Sequence, residues 1–322
     1  MIEREFAETL KQVILELTGN EFGQPENYRL ISKHVRTLMA RRQLVSFESL
    51  LEAVDSDQDL FDEFISCITI HHTSWFRESK QFLALEKQAR AHKGVFEVLC
   101  AACSTGEEAY SIGLTLERVR LEKPGFDYRI LALDIDQKSL AKAATNHFDR
   151  SGLATIPLAH RRSLEIGSDS FSVNPAIRSR LKFQRYNLLA PLVIRSEYHA
   201  IFMRHLLIYL SPERQRKVLV QTIERLKPEA RLYLGTSEAR DYADLGIRNL
   251  SGSVFCRVEP EKRKKLLIVE DSLIIQKLLA AIFKEASFDL LFASSLAEAD
   301  QTIAHEKIDA LSLDIYLPDG LG

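Results

Sequence analysis

The 322-residue chain is 46% hydrophobic and 27% charged and carries a formal net charge of −2. That is the composition of a soluble globular protein with room for two or three domains, and the charge balance argues against a general nucleic-acid binder. No apolar run reaches membrane-spanning length and Met1-Ile2-Glu3-Arg4-Glu5 is no signal peptide, so a cytoplasmic protein without membrane insertion is expected.

Residues 1–88 are expected to form a helical N-terminal domain. Phe6, Leu10, Val13, Ile14 and Leu17 keep the spacing of one helical face, which stops at Gly19-Asn20. A second helix is predicted over roughly 28–42, with Arg29, Lys33 and Arg36 on one face. Such a face is either a solvated charged surface or a dock for an acidic helical partner. Leu60, Phe61, Phe64, Ile65 and Ile68 form another stripe, which runs into Thr69-Ile70-His71-His72-Thr73-Ser74-Trp75-Phe76-Arg77.

From about residue 94 strands and helices alternate, the pattern of a mostly parallel sheet in an α/β fold. Strands are predicted at 95–101, 128–134, 181–187, 198–204 and 231–236, and helices at 107–121, 137–147 and 212–227. Ser211-Pro212-Glu213 supplies the last helix with an N-cap, a proline at its first position and an acid in its first turn. Residues 248–258 contain a Ser-Gly-Ser turn and are predicted to close the sheet as a hairpin. Between them, residues 149–180 carry Gly152, Pro157, Gly167 and Pro175 and read as an inserted subdomain or lid. A charged linker is expected over 259–265. A second α/β pattern then follows over 266–322, with a strand beginning at Leu266, a helix to about Ala286 and a strand near 309–314.

The stretch that organises the first α/β region is Leu99-Cys100-Ala101-Ala102-Cys103-Ser104-Thr105-Gly106-Glu107-Glu108-Ala109-Tyr110. An apolar strand feeds a turn of small residues, and a helix follows with Ala109, Ile112, Leu116 and Val119 on one face. Small residues at the bend let a ligand approach the backbone, and the free N–H groups of the helix start face it. The G-x-G-x-x-G of a dinucleotide fold is missing, and an acidic pair stands where a pyrophosphate would sit. Two carboxylates there suit a cationic ligand. The four cysteines are Cys67, Cys100, Cys103 and Cys256. Cys100 and Cys103 form a C-x-x-C at a strand end without a second pair, and are expected to be small buried residues rather than a redox or metal pair.

Five motifs in order resemble those of the chemotaxis receptor methyltransferases: Thr73-Ser74-Trp75-Phe76-Arg77, Ala102-Cys103-Ser104-Thr105-Gly106-Glu107-Glu108, Leu133-Asp134-Ile135-Asp136, Asn187-Leu188-Leu189 and Arg204-His205-Leu206-Leu207-Ile208-Tyr209. The likeness covers nearly all of residues 5–258. It implies a helical domain over 1–88 followed over 89–258 by a class I, Rossmann-like methyltransferase domain with a small inserted subdomain. It also implies methyl transfer from S-adenosylmethionine to glutamate side chains of methyl-accepting chemotaxis receptors. Carried over residue by residue, it points to Asp134 for the ribose hydroxyls, Glu108 for the ligand's ammonium, and Asn187 and Leu188 for adenine. His71, Thr73, Arg204 and His205 join that cofactor set. Arg77 clamps the substrate carboxylate or the cofactor, and Tyr209 sets its ring near the sulfonium and its hydroxyl near substrate. For Arg77 a structural salt bridge, and for Tyr209 a place in the core, are the plainer alternatives.

The sequence departs from that family at several points. His71 and His205 stand where the family usually has Asn, Trp75 where it has Phe, and Ala109 where it has Pro. Imidazole can donate as an amide does, so binding is expected to survive with altered polar contacts. A methyltransferase with another substrate, or a scaffold that has lost turnover through the two histidines, are the competing functional readings.

The tail resembles a phosphoacceptor receiver domain of flavodoxin-like fold. That likeness implies Glu270, Asp271 and Asp314 as Mg²⁺ ligands, with Asp314 as the nucleophile toward a histidine-kinase phosphodonor. The later Thr or Ser, the Lys and two strands of that family have no counterpart before Gly322. The tail is therefore about half a receiver: either the chain is cut short, which is the expectation, or the tail cannot switch in the usual way, and Mg²⁺ is expected only if that domain is complete.

Overall fold

A computed structural model describes residues 2–192, 196–258, 264–283 and 288–322. Contacts divide the chain into two units, Met1–Val258 and Glu259–Gly322.

The first unit begins with five helices: α1 (Ile2–Thr18), α2 (Pro25–Arg41), α3 (Phe47–Ser56), α4 (Gln58–Ile68) and α5 (Lys80–Ala91). The second helix starts at Pro25, three residues before the expected position, because proline at a first helical position forfeits no hydrogen bond. Ser46 caps α3 through a reciprocal pair with Ser49, and Asp57 caps α4 by accepting from the Asp59 and Leu60 amides. Leu10, Ile14, Val35, Leu50, Phe64 and Ile68 make the core of these helices. Tyr209 and Ile135, from the following fold, pack against that core.

The α/β region then runs β1 (Gly94–Ala101), α6 (Glu107–Glu122), β2 (Phe126–Asp134), α7 (Gln137–Thr145), β3 (Phe148–Asp149), α8 (Leu158–Arg161), β4 (Leu164–Ile166), β5 (Ser170–Val173), α9 (Pro175–Arg178), β6 (Leu181–Arg185), β7 (Tyr198–Met203), α10 (Pro212–Ile223), β8 (Leu226–Leu234), β9 (Ile247–Ser251) and β10 (Val254–Arg257). Seven strands form one sheet in the order β6-β2-β1-β7-β8-β10-β9. The first five run parallel, and β10 and β9 add an antiparallel hairpin. Residues 149–180 form a small three-stranded antiparallel sheet, β3-β5-β4, with α8 and α9 beside it. Apolar cores cover both faces of the large sheet.

Boundaries shift where local chemistry overrides the pattern. Helix α10 ends at Ile223, and Ser211 holds its N-cap position without a side-chain cap bond. Strand β8 starts at Leu226, five residues early, and carries Pro228 past a register shift in its pairing with β7. Strand β6 stops at Arg185, and the next amide, Tyr186 N–H, still donates to Asp134 O where β2 ends.

The second unit comprises β11 (Lys264–Val269), α11 (Leu273–Ile282), β12 (Phe288–Ala293), α12 (Leu296–His305), β13 (Ala310–Leu313) and the short hairpin β14 (Tyr316–Leu317) and β15 (Gly320–Leu321). Its three-stranded parallel sheet has the order β12-β11-β13, closed on Leu267, Val269, Ala293 and Ala299. Lys264 and Lys265, expected as the end of a linker, belong to β11, and residues 259–263 lie outside the described residues. The expected extension of the helix to Ala286 ends outside them too.

Candidate active site

Strand order reverses between β1 and β7, so the connections leaving their carboxyl ends part and leave a crevice, the usual ligand position of an open α/β sheet. A cleft of about 1000 Å³, counting its open mouth, occupies that place.

The turn after β1 forms its floor. Ala102 and Ser104 take left-handed φ angles of 64° and 49° there. Such a conformation costs a residue with a side chain about 1–2 kcal/mol. It is held by Cys103 N–H donating to Leu133 O at 2.8 Å and Ser104 N–H donating to Asp134 Oδ2 at 2.7 Å. The Asp134 Oδ1 atom accepts from Asp136 N–H at 2.9 Å. Burial pushes the Asp134 carboxyl above its usual range, against the two amides that favour its charged form. Gly106, at φ 99°, turns the chain into α6, and a Cβ there would lie 2.8 Å from that of Ala143. The Cys100 and Cys103 thiols are free and buried, and burial pushes both well above the ordinary range. They stay protonated, as small interior residues do.

Glu108 is buried at the start of α6 and bound by Arg204, whose Nε donates to Oε2 at 2.5 Å while Nη2 ion-pairs with the same oxygen. Arg204 Nη1 donates onward to Arg77 O at 2.6 Å and Gln81 Oε1 at 3.1 Å. The Arg204 side chain, 1% exposed, lines the cleft wall while bonded to protein partners. Glu108 keeps Oε1, which accepts only the Cys100 S–H at 3.4 Å among the described residues.

Arg77 lies between Phe76 and Glu78, both left-handed at φ 50° and 59°. Its Nη1 donates to His72 O at 3.2 Å. The side chain borders both the cleft and an adjoining groove lined by His72, Thr73, Ser74, His205 and Tyr209. The ring of Tyr209 meets Phe22 edge-on at 5.5 Å, and burial raises its phenol so that it stays protonated. This tyrosine therefore packs on the helical core and still faces the cleft.

The two histidines differ. His71 has protein partners at both nitrogens, Ser66 O and Thr69 Oγ1 at Nε2 and Ser139 Oγ at Nδ1, with Asp136 Oδ2 3.5 Å from Nε2. Its ring, with these partners, forms part of the cleft wall. His205, at φ 58°, has Nε2 buried and 3.1 Å from Glu78 Oε1 but out of line for a hydrogen bond. Burial alone would raise Glu78, yet His205, Thr236 and Arg204 hold its carboxyl down at about 2. Asn187 and Leu188 also line the cleft, with the Asn187 amide donating to Leu17 O and accepting from Leu189 N–H.

Several residues here were given no site role in the reading of the sequence. Buried Glu238 accepts from the amides of His205, Leu207, Ile208 and Gly235, and so fixes the turn after β7. Buried Asp136 caps α7 and anchors Ser66, Ser139 and His71. Thr18 and Asn20, from the helical segment, form part of the cleft wall. Asp136 stands two positions from Asp134 in the same motif and was the one within reach.

In the second unit, Glu270, Asp271 and Asp314 each bring a carboxylate oxygen within 4.8 Å of the others. Glu270 is buried and accepts from Ser272 N–H at 3.0 Å. Three carboxylates at that spacing could hold a hard divalent cation.

Residues 71–254 match the family profile described as CheR methyltransferase, SAM binding domain. Chemotaxis protein methyltransferase 1 of Pseudomonas aeruginosa is 30% identical over 244 residues, covering 71% of this chain and 89% of that protein. The chemotaxis protein methyltransferase of Listeria monocytogenes is 27% identical, covering 70% and 88%. A probable chemotaxis protein methyltransferase of Rhizobium etli is 32% identical, covering 66% and 82%.

Proposed function

The chain belongs to the CheR methyltransferase family and is an S-adenosylmethionine-dependent methyltransferase; from that premise we propose that it methylates glutamate side chains of helical chemoreceptors. The observation that carries this reading is the join between cleft and groove, at which Arg77, His205 and Tyr209 border both. A group held in the cleft and an acidic side chain entering by the groove would meet there.

The cleft fits the cofactor. The Ser104 hydroxyl is buried without a partner among the described residues, and Glu108 Oε1 and Asp134 offer acceptors for an ammonium and for ribose hydroxyls. When bound, S-adenosylmethionine supplies a methyl group activated on a positively charged sulfur. Thr73, Leu188 and the ring of His71 would add shape, and the Asn187 amide would position the adenine wall rather than reach far into it. Arg204 binds Glu108 and holds the Arg77 carbonyl, so the cofactor end and the substrate end share one buried guanidinium.

A glutamate carboxylate, with an ordinary pKa of about 4.3, arrives ionised at neutral pH and needs no base. The chain's task is then to aim one oxygen and exclude water. Arg77 would clamp that carboxylate, and the Tyr209 ring would face the positive sulfur, a contact worth roughly 0.5–2 kcal/mol. On α2, Arg29, Lys33 and Arg36 border a shallow groove that suits an acidic helical partner. Incubation with methyl-labelled S-adenosylmethionine and receptor cytoplasmic fragments tests the reading. Label on glutamate that mild base releases supports it; base-stable label, or label on small molecules alone, overturns it.

We further propose that the second unit is a receiver. Glu270, Asp271 and Asp314 would hold Mg²⁺, and Asp314 would accept a phosphoryl group from a histidine kinase and so regulate the transferase. Acetyl phosphate should then change the methylation rate of the full chain and leave Asp314→Asn unaffected; equal rates in all four conditions discard the link.

A further inference from the structure

The cofactor cleft is closed on one side by a strap outside the methyltransferase fold, the connection between α1 and α2. Its backbone is fastened at several points. Leu17 O accepts from the Asn187 amide at 3.2 Å, Gly19 O accepts from Arg214 Nη1 at 3.3 Å, and Glu21 N–H donates to Tyr209 O at 2.6 Å. Asn20 pairs with Leu210 in an isolated antiparallel bridge, and its N–H donates to Thr18 Oγ1 at 3.2 Å. Gly19, at φ 72°, lies so close to Leu189 that a Cβ there would come within 2.1 Å of its Cδ1.

One polar group of the strap is left over. The Asn20 residue is 9% exposed and lines the cleft, and its side-chain amide has no hydrogen-bond partner among the described residues. The amide is not among the fully buried atoms without a partner, so it is open to the cleft, where a ligand's hydrogen bonds would replace those to water. The neighbouring Asn187 amide is already engaged with Leu17 and Leu189. The strap packs against the Asn187–Leu189 corner, which the proposed function gives to the adenine.

We infer that Asn20 is a cofactor-binding residue, its amide paired with the edge of the adenine ring. A carboxamide presents one donor beside one acceptor, the complement of adenine's 6-amino group and an adjacent ring nitrogen. The helical segment then does more than face the substrate: it supplies part of the nucleoside site. This rests on the proposed use of the cleft for S-adenosylmethionine, and its failure can be told apart from a failure of that reading.

The test is calorimetric titration of the full chain with S-adenosylhomocysteine and with the analogue in which hydrogen replaces the 6-amino group. Wild type should bind the parent compound and lose about 2- to 13-fold in affinity with the analogue, the range of one neutral hydrogen bond. Asn20→Ala should weaken the parent compound by a similar factor and bind both compounds nearly alike, the coupling that a double-mutant cycle isolates. Gln24→Ala, whose exposed side chain lies on the same strap and makes no side-chain cap bond, should bind as wild type does and so excludes a general loosening of the strap. An unchanged affinity in Asn20→Ala, or the same penalty for the analogue in variant and wild type, overturns the inference. Absence of binding by wild type would instead overturn the use of the cleft for this cofactor.

Discussion

The two edges of the seven-stranded sheet are built on opposite terms. At the carboxyl edge, Phe76, Glu78, Ala102, Ser104 and His205 all border or flank the cleft in left-handed conformations, five of the eight such non-glycine residues described. Charge is buried there too, in the Glu108–Arg204 pair and the amide-bound Glu238. The opposite edge holds a neutral histidine among charged neighbours. There His92 and His199 lie with ring centres 4.2 Å apart, and His199 accepts from Glu97 N–H at Nδ1 with Lys227 Nζ 3.3 Å from Nε2. Burial, then Lys227 and His92, push His199 down to about 4, so it is neutral at pH 7. Backbone strain collects where ligands are handled, whereas the far edge, which also buries Glu117 against Arg120, is a support.

The largest effect that sharpens this contrast comes from Arg204→Met. The substitution leaves Glu108 and Gln81 without their partner, and removing one member of a buried pair costs about 3–5 kcal/mol. Chemical denaturation should read that loss, with cofactor affinity falling alongside it; a change below about 1 kcal/mol would mean the pair is not buried in solution.

At the other edge the effect depends on pH. The folded value of His199 lies below the ordinary 6.5, so the folded chain takes up its proton less readily than the unfolded one. Its contribution is complete above pH 6.5 and is lost as pH falls toward 4. Because the ring is only partly buried, the swing should be about 1–2 kcal/mol rather than the full linkage value. Denaturation midpoints of wild type and His199→Gln, compared at pH 7.5 and 5, should converge at the lower pH; parallel shifts would remove His199 from the account.

The smallest effect is local. Ala102→Gly relieves a left-handed residue and should stabilise the unliganded chain by about 0.5–1 kcal/mol, net of the added freedom of the unfolded state. A loss of stability would mean that the turn is not strained as described.

Much of the carboxyl edge was legible because its chemistry is local in sequence. The run from Leu99 to Tyr110 announces strand, turn and helix, and Asp134 follows from its place at the end of β2. Glu238 was not legible, since it acts on amides about thirty residues away with no motif of its own. The strap was missed for the same kind of reason: Gly19-Asn20 reads correctly as a helix stop, and only tertiary docking buries it against Leu189. His71 and Arg204 were placed at the right wall, but their partners, Asp136 with Ser139 and Glu108 with Gln81, come from separate elements that sequence order does not bring together.

The central claim is that cleft and groove are one reaction space joined at Arg77. Its most direct measurement is the rate of methyl transfer to a receptor fragment by Arg77→Ala at saturating cofactor. Loss of an oriented clamp on the reacting carboxylate should lower that rate by about 100-fold or more. A rate within twofold of wild type would contradict the claim.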